Sequence, residues 1–387
     1  MKKRKICLFT GTRAEFGLLL PLISQINRDK NLILQLIVSG THLSKEFGLT
    51  INEIKKEGIK INNQTKIPLE TDSEIGLAKT IAAGIIEITR TLINLKPDIL
   101  VLLGDRFETF SAAISGMAIK LPIAHIHGGE STFGSSDETM RHSITKMSHL
   151  HFVSTDTYRK RVIQLGENPS RVFNVGAIGL DNINNIRLLN KNELEKVLKI
   201  KFNKSNILVT FHPVTLENNT YVQQIKNLLN AVDRLKDATL IFTKANVDTG
   251  GRAINSIIDG YVRSNRHKAV VFTSLGQQKY LSLMKCVDAV VGNSSSGIIE
   301  APSFKIGTIN IGNRQAGRIQ AKSTINCQPT VDEISKAFSI LYSNKFRAGL
   351  KNITNPYKKA NTSMKIKNII KHCDLTNILQ KRFHDIK

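Results

Sequence analysis

From Ile99 to Glu130 the chain reads ILVLLGDRFETFSAAISGMAIKLPIAHIHGGE, two short apolar runs that each stop in a cluster of glycines and ionisable side chains. Neither run alternates apolar with polar residues. Unbroken apolar strands are those covered on both faces, as in parallel sheets flanked by helices, whereas half-exposed strands alternate. Gly104-Asp105-Arg106 ends the first run, and His125 to Glu130 ends the second. Parallel α/β sheets bind ligands just beyond the carboxyl ends of their strands. Carboxylates, imidazoles and a guanidinium concentrated there point to an enzyme.

The same alternation of strand-like and helix-like segments runs through the chain. Strands are expected at residues 6–10, 32–39, 99–103, 121–126, 151–154 and 172–175, and helices include 18–26, 75–95 and 158–165. Residues 176–182, GAIGLDN, carry two glycines and turn formers and read as a hinge, followed by a polar stretch. The series then restarts with strands at 207–211, 239–243, 269–273, 289–291 and 308–311. A chain of 387 residues has room for two such series. The expected architecture is α/β, with two Rossmann-like domains facing a cleft. The expected bounds are 1–178 and 179–363, with a last helix over 364–387 packing back on the first domain.

The net charge of +24 is spread along the chain and heaviest near its end, with eleven Lys or Arg from Asn344 onward against Asp374 and Asp385. There is no tryptophan and no nucleic-acid-binding motif, so the excess reads as compositional drift that also attracts an anionic substrate. Neither nucleic acid nor a membrane is an expected partner: no apolar run is long enough to span a bilayer. The basic start, Met1 to Lys5, leads into an apolar stretch too short for a signal-peptide core. Cys7, Cys286, Cys327 and Cys373 show no metal-ligand or redox spacing, which fits a reducing cytoplasm.

Several strand-end segments carry chemistry, and each also has a plainer reading. Gly11-Thr12-Arg13-Ala14-Glu15-Phe16-Gly17 lies at the first strand-to-helix turn, where backbone N–H groups and the forked Arg13 cation suit a pyrophosphate. Alternatively Glu15 merely complements the helix dipole. Gly292-Asn293-Ser294-Ser295-Ser296-Gly297, followed by Glu300, forms a second candidate anion nest, beyond what a serine N-cap alone requires. Asp105 either acts chemically or caps the helix starting at Phe107. His125 and His127, with Glu130, have an H-x-H spacing seen in metal sites but lack a convincing third ligand. Ser135 and Glu138 fit a capping box, with Asp137 in the first turn. His212 follows a strand terminus in the second half.

In order, the blocks GTRAEFG, LLGDRFE, HIHGGE, DETMRHSITKMSHLHF, FHPVTLE, GNSSSGIIEAP and INIGNRQAGR resemble the hydrolysing UDP-N-acetylglucosamine 2-epimerases of sialic acid biosynthesis, from about residue 6 to about 317. The non-hydrolysing branch looks different at three of these places. The resemblance implies a glycosyltransferase-B-like fold and a UDP-sugar substrate, with no metal or other cofactor. A homodimer is a fold-level expectation. It also implies that Arg13, Arg106, His212, Asn246, Ser294, Ser295, Glu300 and Arg314 hold UDP, and that Asp105 and Asp137 match acid–base positions. Related enzymes often carry glutamate where this chain has His127, so the carboxylate comes from Glu130 or His127 serves as a neutral base. The catalytic set is therefore Asp105, Glu130 and Asp137.

The implied reaction converts UDP-N-acetylglucosamine and water to N-acetylmannosamine and UDP. Removal of a barely acidic C2 proton must be coupled to departure of UDP, giving a glycal. Water then adds at C1 while a proton returns to C2 from the opposite face. An alternative substrate within the class is UDP-2,4-diacetamido-2,4,6-trideoxyglucose, of the bacillosamine and legionaminic acid type. A glycosyltransferase of the same fold and a non-catalytic nucleic-acid or anionic-surface binder are the readings from other classes.

Overall fold

The computed structural model describes residues 3–70, 73–217 and 220–386. The strands and helices of the first part, in chain order, are β1 (Arg4–Thr10), α1 (Arg13–Arg28), β2 (Leu32–Ser39), α2 (Ile51–Lys56), β3 (Asn63–Thr65), α3 (Glu74–Leu95), β4 (Ile99–Leu103), α4 (Phe107–Ala118), β5 (Ile123–Ile126), α5 (Asp137–Met147), β6 (Leu150–Val153), α6 (Asp156–Gln164), β7 (Val172–Asn174) and α7 (Asp181–Asn185). There follow α8 (Lys191–Leu198), β8 (Ser205–Thr210), α9 (Tyr221–Asp233), β9 (Ala238–Thr243), α10 (Gly251–Ser264), β10 (Ala269–Phe272), α11 (Gly276–Cys286), β11 (Ala289–Gly292), α12 (Ser295–Ile299), β12 (Gly307–Ile311), β13 (Thr324–Cys327), α13 (Val331–Leu341), α14 (Asn344–Leu350) and α15 (Thr362–His372).

The chain divides into two compact units. Unit 1 comprises Met1–Glu130, Ser136–Asn185 and Tyr357–Lys387; unit 2 comprises Ser131–Ser135 and Ile186–Pro356. Unit 1 holds a seven-stranded sheet of order β3-β2-β1-β4-β5-β6-β7, and unit 2 a six-stranded sheet of order β10-β9-β8-β11-β12-β13. Every pairing in both is parallel.

The unbroken apolar strands are explained by what covers them. In unit 1, Ile6, Leu8, Ile99, Val101 and Leu103 face a core shared with Leu19, Leu22 and Ile26 of α1 and Ile366 and Ile370 of α15. Cys7, Phe9, Leu100 and Leu102, of opposite parity, pack on Ile88 and Leu92 of α3 and Ala112 and Ala113 of α4. Because successive strand side chains point to opposite faces, only a sheet buried twice over needs apolar residues at both parities. Unit 2 has its own core, in which Ile207, Val209 and Phe242 pack with Ile225 and Leu228 of α9, Ile254 of α10 and Phe338 of α13.

The structure departs from the sequence expectation in four places. The edge strands β3 and β13, with sequences NQT and TINC, were not anticipated, because each is short and carries no apolar run. Residues 176–182 are no loose hinge: Ala177 N donates to Tyr357 O at 3.0 Å and Asn182 Nδ2 to Gly17 O at 2.7 Å. The break between units falls after Asn185, not after residue 178. The last helix ends at His372. There Asp374 Oδ1 accepts from Thr376 N at 2.8 Å, and Asn377 adopts φ 57°, so a turn replaces the helix expected to 387. Among the described residues, no helix is long and apolar enough to cross a membrane.

Candidate active site

Each sheet reverses its strand order once, between β1 and β4 in unit 1 and between β8 and β11 in unit 2. Loops leaving the strands on either side of such a point diverge to opposite faces and open a crevice at the carboxyl edge. Of the predicted residues, Arg13, Asp105 and Arg106 follow β1 and β4, and His212, Ser294 and Ser295 follow β8 and β11, whereas Glu130 and Asp137 follow β5, Asn246 follows β9 and Arg314 follows β12.

In unit 1, Gly104-Asp105-Arg106 follows β4. Asp105 keeps a side chain 20% exposed and forms an ion pair with Arg141 of α5. Arg141 is almost wholly buried, and its Nη1 also donates to Glu138 Oε2 at 2.6 Å and to Glu130 O at 3.0 Å. One buried guanidinium thus ties the β4 loop, the β5 loop and the first turn of α5 together. A fork with several donors suits this task better than a lysine would. Asp137 stands half-exposed at the first position of α5.

Arg106, not Asp105, is the N-cap residue of α4, and Asp105 turns to Arg141. The N-cap position of α5 is Ser136, and Glu138 holds both Arg141 and His142 (Nε2 to Oε1, 3.1 Å).

His125 and His127 face different partners. His125 Nε2 donates to Gly104 O at 2.7 Å and Nδ1 meets Thr145 Oγ1 at 3.1 Å. Burial lowers its pKa to about 3, so it is a neutral prop under the Asp105 loop. His127 sits at φ 68°, and its Nε2 accepts from Ile178 N at 3.4 Å. That occupies the lone pair a neutral base would need. Its Nδ1 lies 3.5 Å from Glu130 Oε1, which accepts from Ser154 Oγ at 2.9 Å. Glu130 is 1% exposed. Arg13 begins α1, half-exposed, beside the capping box of Thr12 and Glu15. Arg106 is buried, with Nε donating to Glu108 Oε2 at 3.2 Å. Its charge offsets Glu15 and Glu108, a buried carboxylate pair the sequence reading passed over.

In unit 2, Asn293 is the organiser. Its Oδ1 accepts from His212 N at 2.7 Å and its Nδ2 donates to His212 O at 2.8 Å, so one amide staples the loops after β8 and β11. Arg314 Nη1 (3.1 Å) and Gln315 Nε2 (2.9 Å) donate to its main-chain oxygen. Gly292 makes the close approach possible: a Cβ there would lie 2.0 Å from Thr210 O, and its φ is 130°. Ser294 caps α12, and Ser296 Oγ lies 3.1 Å from Ser294 Oγ and 2.6 Å from the Tyr280 hydroxyl. Ser295 opens α12 and Glu300 follows it, buried. Asn246 lies apart in the loop after β9, where Asn255 braces neighbouring Ala245 (N to Oδ1, 2.8 Å).

Sequence reasoning therefore missed Arg141, Glu108, Tyr280 and Gln315, and named Asn293 only as one residue of the nest. Arg141 had a signal, an arginine one helical turn after Asp137. Tyr280 and Gln315 had none, since their partners are distant in sequence.

A profile of the UDP-N-acetylglucosamine 2-epimerase family matches residues 24–371. The chain belongs to that family. It is an enzyme of the UDP-N-acetylglucosamine 2-epimerase family with a fold of glycosyltransferase-B type. It is 47% identical, over 100% of both chains, to a Campylobacter jejuni protein named GDP/UDP-N,N'-diacetylbacillosamine 2-epimerase (hydrolyzing). The Escherichia coli polysialic acid biosynthesis protein P7 is 36% identical, over 99% of this chain and 98% of that one. The solved UDP-GlcNAc 2-epimerase from Neisseria meningitidis, bound to UDP-GlcNAc, shares the fold. Its TM-score is 0.79 at 17% identity, covering 95% of this chain and 99% of that one.

Proposed function

We propose that this chain is a hydrolysing 2-epimerase of a nucleoside-diphosphate sugar of the N,N'-diacetylbacillosamine type, UDP-2,4-diacetamido-2,4,6-trideoxyglucose, rather than of UDP-N-acetylglucosamine. The carrying observation is the 47% identity along the full length to the Campylobacter jejuni protein bearing that name. The products are UDP and the C2-inverted free sugar.

Asp105 and Asp137 carry the proton transfers at C2, with Glu130 completing the carboxylate set. One carboxylate takes the C2 proton as the C1–O bond breaks and its electron pair leaves with UDP, giving the 2-acetamidoglycal. Water then adds its oxygen to C1, and a proton returns to C2 from the other face. Arg141 orients Asp105 for this step. Arg13, Arg106, His212, Asn246, Ser294, Ser295, Glu300 and Arg314 bind the nucleotide. Charge building on the leaving diphosphate is met by donors already in place, which is the cheapest way to stabilise it. No step calls on a metal or a redox cofactor.

Incubating the purified protein with UDP-2,4-diacetamido-2,4,6-trideoxyglucose, its GDP counterpart and UDP-N-acetylglucosamine, and following released nucleotide, tests the reading. The diacetamido sugar should turn over fastest, and in heavy water its product should carry deuterium at C2. Preference for UDP-N-acetylglucosamine would overturn the substrate assignment; a product without deuterium would overturn the mechanism. Asp105→Asn should cut turnover by about a hundredfold or more while UDP still binds.

A further inference from the structure

Glu167, in the turn after α6, is almost wholly buried and takes no part in the chemistry above. Its carboxylate collects Lys146 Nζ at 2.7 Å, Lys381 Nζ at 2.7 and 2.9 Å, and His151 Nε2 at 2.9 Å. Burial by itself would raise its pKa, but the bonds from His151 and the two lysines outweigh that and hold it at about 2. His151 is pushed down by burial and so donates as a neutral ring.

Lys381 comes from the C-terminal segment, 214 residues further along the chain. Besides Glu167 it reaches Lys146 O at 2.8 Å and Ser148 O at 2.6 Å, two carbonyls at the end of α5. A helix leaves its last carbonyls without internal partners, and a lysine there satisfies them and complements the dipole. The segment is fastened on both sides of Lys381. Ile378 is part of the unit 1 core, and its carbonyl accepts from Arg171 Nη1 at 3.0 Å. The Phe383 ring fills the space over Gly166, where a Cβ would come within 2.3 Å of it, and His384 N donates to Gly166 O at 3.0 Å.

What makes this clamp matter is the helix it holds. Along α5, Lys146 serves Glu167, Thr145 meets His125, Arg141 pairs with Asp105, and Asp137 opens the first turn. The helix is a rod of eleven residues, so a shift at its C-terminal end moves every one of these groups. A second link runs beneath it: His151 of β6 is the register partner of His125 of β5, whose Nε2 holds Gly104 O at 2.7 Å.

We propose that the C-terminal segment is a working part of the catalytic site: Lys381, by clamping Glu167 and the end of α5, is a positioning residue for Asp105 and Asp137. The inference rests on the reading that those two carboxylates move the proton.

Lys381→Met, Lys381→Arg and a chain ending at Leu379 should be compared with wild type well below their unfolding temperatures. The expected result for Lys381→Met is a kcat reduced about ten- to a hundredfold, since a misplacement of about an ångström is enough. KM and UDP affinity should stay near wild type, Lys381→Arg should recover most of the rate, and α5 amides should exchange faster with solvent. A folded Lys381→Met protein with wild-type kcat and unchanged α5 exchange overturns the proposal. So does a loss of rate that arginine does not restore. Lys381→Gln, which keeps a donor for the carbonyls, supplies the same comparison if the methionine variant does not fold. Asp105→Asn in the same assay separates the levels. If it stays active, the carboxylate reading itself fails; if it is inactive while Lys381→Met is unimpaired, only the clamp fails.

Discussion

Glu15 shows how a single buried side chain can set the pH response of the protein. Its Oε2 accepts from Gly11 N at 2.7 Å and Thr12 N at 3.2 Å. Burial, and then the charge of Glu108, raise its pKa from the ordinary 4.5 to about 8. Between those values the folded protein holds a proton that the unfolded chain has lost, so stability falls as pH rises through that window. Glu15→Gln keeps the acceptor and removes the titration. Its melting temperature should therefore decline less than the wild type's between pH 5 and pH 9, and exceed it at pH 9; parallel curves would remove Glu15 as the cause. The sequence showed Glu15 as a residue complementing the helix dipole. It could not show Glu108 beside it, because that contact depends on how α4 packs on the β1 loop. Asp105 is a similar case. Its place at a strand end was legible, but its partner Arg141 lies 36 residues on and was not.

Elements were legible in proportion to how much apolar surface they bury. The central strands β1, β4, β8 and β11 are apolar at both parities, and a local pattern identifies them. The edge strands β3 and β13 pair along one side only, and their polar sequences carry no such pattern. The loops proposed to bind substrate are held by staples invisible to periodicity. Asn293 is one of these. Asn293→Ala would leave the N–H and C=O of His212 without their amide partner, in a buried setting. The expected cost is about 2–4 kcal/mol of stability, from two lost hydrogen bonds and the groups they orphan. UDP affinity should fall as well, since this amide fixes the His212 loop against the loop that carries Ser294. Unchanged denaturation midpoints and UDP binding would show that the staple is dispensable.

At the scale of the whole molecule, the two units have separate hydrophobic cores, and the chain crosses back to unit 1 at its end. The return is anchored at a distance: Asp181 accepts from Ser363 N at 2.7 Å and Ser363 Oγ at 2.6 Å at the start of α15, which presents no side-chain cap of its own. Separate cores predict two transitions in calorimetry. Saturating UDP at about a hundred times its Kd should stabilise the protein by about 2.7 kcal/mol, most of it in the transition carrying unit 2, which supplies six of the eight proposed UDP-binding residues. For a unit of this size that is a rise of roughly 5–10 °C. A single transition, or two that move equally with UDP, would contradict this.

The sequence by itself determined the α/β class, the central strands and the strand ends where ionisable residues collect. These follow from apolar periodicity and turn chemistry, which act over a few residues. Tertiary structure alone decided which charge meets which: Arg141 on Asp105, Asn293 on His212, Lys381 on Glu167. Such pairings join segments 36 to 214 residues apart. They exist only because strand order and helix packing bring those segments together, and nothing in the spacing of residues along the chain encodes that order.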